Sequence, residues 1–145
     1  MTGTCTQGIE SMTPNIIFVD TSAWYGTLDS NDRDHEAAVR KIQGLDRLLV
    51  TSNYVVDEVL TLLVGKLGST IAISLGEKLF NQEVSALVRI TEDDEGRAWE
   101  VFRQYADKRF SFTDCTSFVL MERLGIDTVF AFDEHFAQYG KFVVI

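Results

Sequence analysis

Short apolar runs alternate with longer segments whose apolar residues recur every three or four positions along the chain. Short runs are typical of strands buried on both faces, and the longer spacing is typical of amphipathic helices. The predicted strands cover residues 16–19, 48–50, 84–90, 128–132 and 142–145. The predicted helices cover residues 21–28, 35–45, 53–65, 69–80, 91–105 and 111–124. Within the helix at 69–80, this spacing directs Ile73 and Leu79 inward.

The alternation of strands and helices predicts an α/β fold with three layers, in which helices cover both faces of a central parallel sheet. The 145 residues suit a single domain, which we assign to residues 15–145. Residues 1–14 are rich in Thr, Gly and Ser and contain the only proline, Pro14. We therefore expect a flexible N-terminal extension there.

The composition fits a globular protein of the cytoplasm. Apolar residues make up 46% of the chain, which argues for a packed core that includes Trp24 and Trp99. No apolar run approaches the roughly 20 residues that a membrane helix needs, and residues 1–15 do not resemble a signal peptide. Cys5 and Cys115 lie far apart, so no disulfide is expected.

Four acidic side chains carry the candidate chemistry. Asp20 ends the first predicted strand and Asp133 follows a later one, whereas Glu58 lies in the second turn of one helix and Asp114 in the first turn of another. Strand ends and the helix starts that follow them share one rim of a parallel sheet, so the four acids can meet there. Charged groups avoid apolar surroundings unless they are paired or bind metal. We therefore predict an oxygen-rich pocket for Mg²⁺ or Mn²⁺, as in a nuclease.

Three of these acids also have a local structural explanation. Asp20 could cap the helix that follows it, and Asp133 could begin a turn. Asp114 lies three residues after Ser111, which is the spacing of a capping box. Taken one at a time, these positions leave both interpretations open.

Residues near the acids could assist the chemistry. Glu58 is favoured over the adjacent Asp57, because the residues three and four positions from Glu58 on the helix are largely apolar. The Ser22 hydroxyl could hold water or a phosphate oxygen, or it could cap a helix. Lys108 and Arg109 directly precede the helix of Asp114, where they could contact substrate phosphates or form an ordinary solvated basic stretch.

Two features fit a nuclease less well. His135 follows Asp133 by two positions, but without a second histidine nearby we expect it to be a packing or surface residue. The net charge of -9 opposes phosphate binding, and charge alone favours an acidic protein that never meets RNA. In the alternative, bound metal neutralises the pocket, and local basic residues or a basic partner help to bind RNA.

The order and surroundings of the four acids resemble the PIN domain family. The matching segments are IFVDTSAW around Asp20, SNYVVDEVLTLL around Glu58, FSFTDCTSFVLMERLGI around Asp114 and VFAFDEHF around Asp133. The resemblance extends over almost the entire chain, from about residue 15 to residue 145. PIN domains are metal-dependent ribonucleases, and many single-domain members are toxins of the VapC type.

The resemblance implies a sheet of about five parallel strands. It implies one or two Mg²⁺ or Mn²⁺ ions held by the catalytic acids Asp20, Glu58, Asp114 and Asp133, with Ser22 as a supporting hydroxyl. It further implies an RNA substrate, an antitoxin protein that covers the pocket, and a homodimer. Two alternatives stay open, a PIN nuclease that processes RNA without being a toxin and a PIN-like module that binds RNA or protein without cutting.

Overall fold

The computed structural model describes residues 15–145, and the predicted extension at residues 1–14 lies outside this range. The strands are β1 (Ile16–Val19), β2 (Leu48–Ser52), β3 (Ala86–Val88), β4 (Thr128–Phe130) and β5 (Val143–Val144). They form one sheet in the order β3-β2-β1-β4-β5, and all neighbours run parallel. The predicted α/β fold with five parallel strands is confirmed.

Helices connect the strands, because neighbouring parallel strands need a crossover between them. The α-helices are α1 (Thr21–Leu28), α2 (His35–Gly44), α3 (Asn53–Leu67), α4 (Ser69–Phe80), α5 (Glu92–Gln104), α6 (Phe112–Leu124) and α7 (His135–Tyr139). Ser52 begins α3 by accepting a 3.1 Å hydrogen bond from the backbone N of Val55. Over residues 15–145, no helix combines the length and the apolar character needed to cross a bilayer.

The central strand β1 positions the first acid. Ile17, Phe18 and Val19 are fully buried, which explains the uninterrupted apolar run. Beyond the strand, the backbone N of Asp20 donates a 3.0 Å hydrogen bond to the carbonyl O of Phe130, at the end of β4. The carboxyl ends of these two strands therefore lie side by side.

Helix α6 is buried from Asp114 to Met121, which explains its nearly uncharged sequence. Its Phe118 stacks on Tyr139 with 4.2 Å between ring centroids and meets Phe136 edge-on at 5.0 Å. Both of these partners belong to α7, so aromatic packing fixes α6 against α7. This packing sets the distance between Asp114 and the start of α7.

Several predictions about packing and element length were wrong. Ile73 is 60% exposed and Trp99 is 51% exposed, although both were expected to point inward. The last three strands, β3, β4 and β5, are shorter than the predicted residues 84–90, 128–132 and 142–145. Helical spacing shows which residues share a face, but it does not show whether another element covers that face.

Candidate active site

Asp20 lies at the carboxyl end of β1 and is only 1% exposed. Its Oδ2 accepts hydrogen bonds from the backbone N of Ser22 at 3.3 Å and from the Ser22 hydroxyl at 2.9 Å, so Asp20 does cap α1. Its Oδ1 is buried and has no donor among residues 15–145. A buried oxygen without a donor is unfavourable, and this one is available to a cation.

Ser22 ties the ends of two strands together. Its hydroxyl donates to Asp20 and accepts a 2.9 Å hydrogen bond from the backbone N of Phe132, just beyond β4. Because Phe132 directly precedes Asp133, this contact holds the segment of Asp133 against Asp20. A supporting role of Ser22 in the chemistry stays a prediction.

Asp114 forms the predicted capping box and also faces the pocket. Its Oδ2 accepts a 2.9 Å hydrogen bond from the backbone N of Ser111, and its own backbone N donates to the Ser111 hydroxyl at 2.9 Å. The same Oδ2 lies 2.6 Å from Nδ1 of His135. The local explanation and the pocket interpretation therefore hold together for this residue.

His135 belongs to the acidic cluster, contrary to the expectation that it only packs or faces solvent. Its backbone N donates a 3.0 Å hydrogen bond to Oδ1 of Asp133, and its ring contacts Asp114. Ligand atoms of Asp114, Asp133 and His135 all lie within 4.8 Å of one another. The search for a second histidine missed this arrangement, because the partners of His135 are carboxylates.

Glu58 is the fourth predicted acid, and it lies outside the close cluster of Asp114, Asp133 and His135. It is half-buried whereas its neighbour Asp57 is exposed, in agreement with the argument from helical faces. Burial raises the pKa of Glu58, and the negative charges of Asp114 and Asp133 raise it further. The Thr21 side chain opposes this rise in pKa, and a role of Glu58 in the pocket stays a prediction.

The pocket contains more negative charge than the surrounding side chains neutralise. Burial, followed by the charges of Asp133 and Asp114, raises the pKa of Asp20 well above its ordinary value. Burial also raises the pKa of Asp114, although the backbone N–H of Ser111 opposes this shift. Within residues 15–145, His135 is the only basic side chain that pairs with any of the four acids. A pocket dominated by carboxylate oxygens suits a hard divalent cation.

A cavity of about 290 Å³ opens beside the acids. Ser22, Tyr25, Arg33 and Asp133 are among the residues that line it. The Arg33 side chain is 90% exposed, and its Nε lies 3.8 Å from a carboxylate oxygen of Asp34, another lining residue. This cavity therefore offers a cation and an aromatic ring next to the carboxylates.

The basic pair before α6 is exposed. Lys108 ends a short 3-10 turn, with its Nζ 3.9 Å from a carboxylate oxygen of Asp107. Arg109 has a φ of 60°, and the chain then turns through Phe110 into the capping residue of α6. A contact of either side chain with substrate phosphate stays a prediction.

Comparison with known proteins identifies the family. A family model described as the PIN domain matches residues 17–142. The chain is 34% identical over 128 residues to a protein from Mycobacterium tuberculosis named 23S rRNA-specific endonuclease VapC20, covering 86% of this chain and 95% of that one. The chain therefore belongs to the PIN domain family.

Solved structures agree with this assignment. The crystal structure of Mycobacterium tuberculosis VapC20, described as a Sarcin-Ricin loop cleaving toxin, superposes with a TM-score of 0.82 at 33% identity, covering 86% of this chain and 95% of that chain. The DNA-bound VapBC complex from Salmonella typhimurium gives a TM-score of 0.64 at 11% identity, covering 89% of this chain and 96% of that chain. The second likeness is one of fold.

Proposed function

We propose that this protein is a metal-dependent endoribonuclease, and that it is the toxin of a toxin–antitoxin pair in the cytoplasm. The observation that supports this most directly is Asp20, a buried carboxylate with one oxygen left without a donor beside Asp114 and Asp133. Such a group is stabilised by a bound cation. A family of nucleases with this fold supplies the functional context.

Four side chains would hold one or two Mg²⁺ or Mn²⁺ ions. Asp20, Asp114 and Asp133 are the direct ligands, and the less buried Glu58 contributes through water. When bound, such an ion activates water and stabilises negative charge on the phosphate during hydrolysis. The protein itself contributes the orientation, because the Ser22 hydroxyl fixes Asp20 against the end of β4.

The proposed substrate is a loop of ribosomal RNA. The relative from Mycobacterium tuberculosis is named for 23S rRNA, and the chain covers 95% of its length. In the cavity beside the acids, Tyr25 offers a ring for a base and Arg33 offers a cation for a phosphate. Lys108 and Arg109 would supply further positive charge against the overall -9 of the chain.

The test is cleavage of ribosomal RNA by the purified full-length chain. We expect cuts at a defined site with Mg²⁺ or Mn²⁺, 5′-phosphate and 3′-hydroxyl ends, and no cleavage in EDTA. Glu58→Gln should be inactive, and Asp57→Asn on the exposed side of the same turn is the matched control. Unchanged cleavage in EDTA, or by Asp20→Asn, would overturn the proposal.

The toxin role has a separate test. Induced expression in a bacterial host should arrest growth, Asp20→Asn should not, and co-expression of a cognate antitoxin should restore growth. Cleavage in vitro without growth arrest would indicate the alternative, a PIN nuclease that processes RNA. A module that binds without cutting is disfavoured, because all four acids of the pocket are present.

A further inference from the structure

Each of the three aspartates in the pocket has one oxygen held by a donor from the protein. Ser22 holds Oδ2 of Asp20, the backbone N–H of Ser111 and His135 both contact Oδ2 of Asp114, and the backbone N–H of His135 holds Oδ1 of Asp133. A carboxylate held at one oxygen presents its other oxygen in a fixed direction. The set of donors therefore determines which oxygens face a cation.

His135 is the residue that touches two of these carboxylates. Its Nδ1 lies 2.6 Å from Asp114, and its backbone N–H donates to Asp133 at 3.0 Å. At this distance Nδ1 and Oδ2 share one hydrogen bond, so this ring nitrogen is engaged by Asp114. The Nδ1 contact therefore fixes the ring relative to Asp114, while the backbone N–H fixes Asp133.

Aromatic packing also restricts the imidazole. Its ring meets Phe110 edge-on, with 5.6 Å between centroids. The next residue, Phe136, is fully buried and packs on Phe118 of α6. The His135 side chain is nevertheless 30% exposed, so its replacement does not open the core.

We propose that His135 is a positioning residue for the cation, which orients Asp114 through its ring Nδ1 and Asp133 through its backbone N–H. This inference rests on the proposed metal-dependent function. Partners that orient metal ligands typically change metal affinity by about 10–100-fold when they are removed. The contact with Asp114 resides in one ring nitrogen, so a substitution removes it, whereas the backbone contact with Asp133 stays in every variant.

Three substitutions distinguish positioning from ligation. Asparagine places an amide N–H where Nδ1 stands, glutamine extends its polar group toward the position of Nε2, and leucine provides neither. We measure the affinity of the full-length chain for Mn²⁺ alone by calorimetry. His135→Leu and His135→Gln should weaken Mn²⁺ binding by about tenfold or more. His135→Asn should stay within about threefold of the wild type, and the Mn²⁺ concentration for half-maximal RNA cleavage should shift in parallel.

Several outcomes would contradict the inference. Unchanged or tighter Mn²⁺ binding in His135→Leu would exclude a positioning role, and weak binding in His135→Asn would show that the Nδ1 contact is not what matters. Restored binding in His135→Gln alone would favour direct ligation.

Glu134→Gln, at the exposed preceding residue, is the matched control, and urea unfolding in EDTA verifies that each variant folds. If the wild type itself binds no Mn²⁺, the proposed function fails as well, whereas normal Mn²⁺ binding in every variant refutes the role of His135 alone.

Discussion

Two buried aspartates occupy the same local position in different helices and experience opposite electrostatics. Asp94 in α5 and Asp114 in α6 are each the third residue of their helix, and each completes a capping box, with Thr91 and Ser111 respectively. Arg123 donates two hydrogen bonds of 2.8 Å to the Asp94 carboxylate. Asp114 instead faces other acids and one imidazole.

The pKa values express this difference. Burial alone would raise the pKa of Asp94, but the hydrogen bonds from Arg123 and Thr91 outweigh burial and lower it. For Asp114, burial and the charge of Asp133 prevail, and the pKa is raised. A fully paired acid stabilises the fold, whereas an acid with unneutralised charge remains available for a cation. The capping box alone therefore does not identify a site, and the partners across space do.

The largest expected effect is on catalysis. Asp114→Asn should reduce RNA cleavage by about 10³-fold, which corresponds to about 4 kcal/mol of activation free energy. Its free energy of unfolding should change by less than about 1 kcal/mol, because the amide oxygen can still accept from the Ser111 N–H. Single-turnover cleavage and urea unfolding in EDTA measure the two quantities. A decrease of about 4 kcal/mol in the free energy of unfolding, as large as the increase in activation free energy, would contradict the contrast with Asp94.

The converse change should affect stability. Asp94→Asn should lower the free energy of unfolding by about 2–4 kcal/mol, because breaking a buried ion pair typically costs about 3–5 kcal/mol and the Arg123 side chain keeps some contact with water. Cleavage per folded molecule should be unchanged. Asp93→Asn, at the exposed preceding residue, should alter stability by no more than about 0.5 kcal/mol. Loss of cleavage in folded Asp94→Asn would place α5 in the active site.

The uncompensated charge of Asp20 should lower the free energy of unfolding of the metal-free protein. Asp20→Asn should raise the free energy of unfolding at pH 7, in EDTA, by about 1–3 kcal/mol, the range for a buried polar group without a partner. Chemical unfolding of both proteins measures this difference. An Asp20→Asn protein less stable than the wild type would mean that the carboxylate is neutralised by the fold itself.

The same group gives a pH dependence with a defined sign. Because the folded-state pKa of Asp20 is raised, the folded protein holds a proton that the unfolded chain releases above about pH 3.9. Stability of the metal-free protein should therefore decline as the pH rises from that value through the raised pKa. Saturating Mn²⁺ or Asp20→Asn should flatten this decline. A stability that increases over this range in EDTA would contradict the raised pKa.

The smallest expected effect is that of removing the side-chain caps of α5 and α6. Thr91→Ala and Ser111→Ala should each lower the free energy of unfolding by about 1 kcal/mol, because each removes one side-chain cap. Neither should change Mn²⁺ affinity by more than about threefold, since the backbone N–H of residue 111 still donates to Asp114. A large loss of Mn²⁺ affinity in Ser111→Ala would make the cap part of the metal site.

The sequence predicted the parts of the site that depend on strand ends and helix faces. Asp20 follows a run of fully buried residues, and a parallel sheet brings such positions to one edge. Glu58 was distinguished from Asp57 by its apolar neighbours on the helix. These signals are local and periodic, so they can be read from the residues alone.

The part that the sequence did not predict depends on contacts across the chain. His135 meets Asp114 over a separation of 21 residues, at the start of a helix of five residues that was not predicted. One signal could have indicated this contact. His135 follows Asp133 by two residues, and at this spacing its backbone N–H donates to the Asp133 carboxylate. The exposure of Trp99 was not predicted for a related reason, because the sequence of α5 does not show whether another element covers that face of the helix.

The Ser22 hydrogen bond to the backbone of Phe132 spans 110 residues, and it joins the first strand to one of the last. During synthesis, chains emerge and fold from the N-terminus. Asp20 therefore leaves the ribosome long before Asp133 and the segment that orients it. If the proposed activity is directed at ribosomal RNA, a partly made chain that lacks Asp133 also lacks part of the proposed metal site. This order of assembly would delay cleavage of the ribosome that makes the chain until translation of the domain is nearly complete.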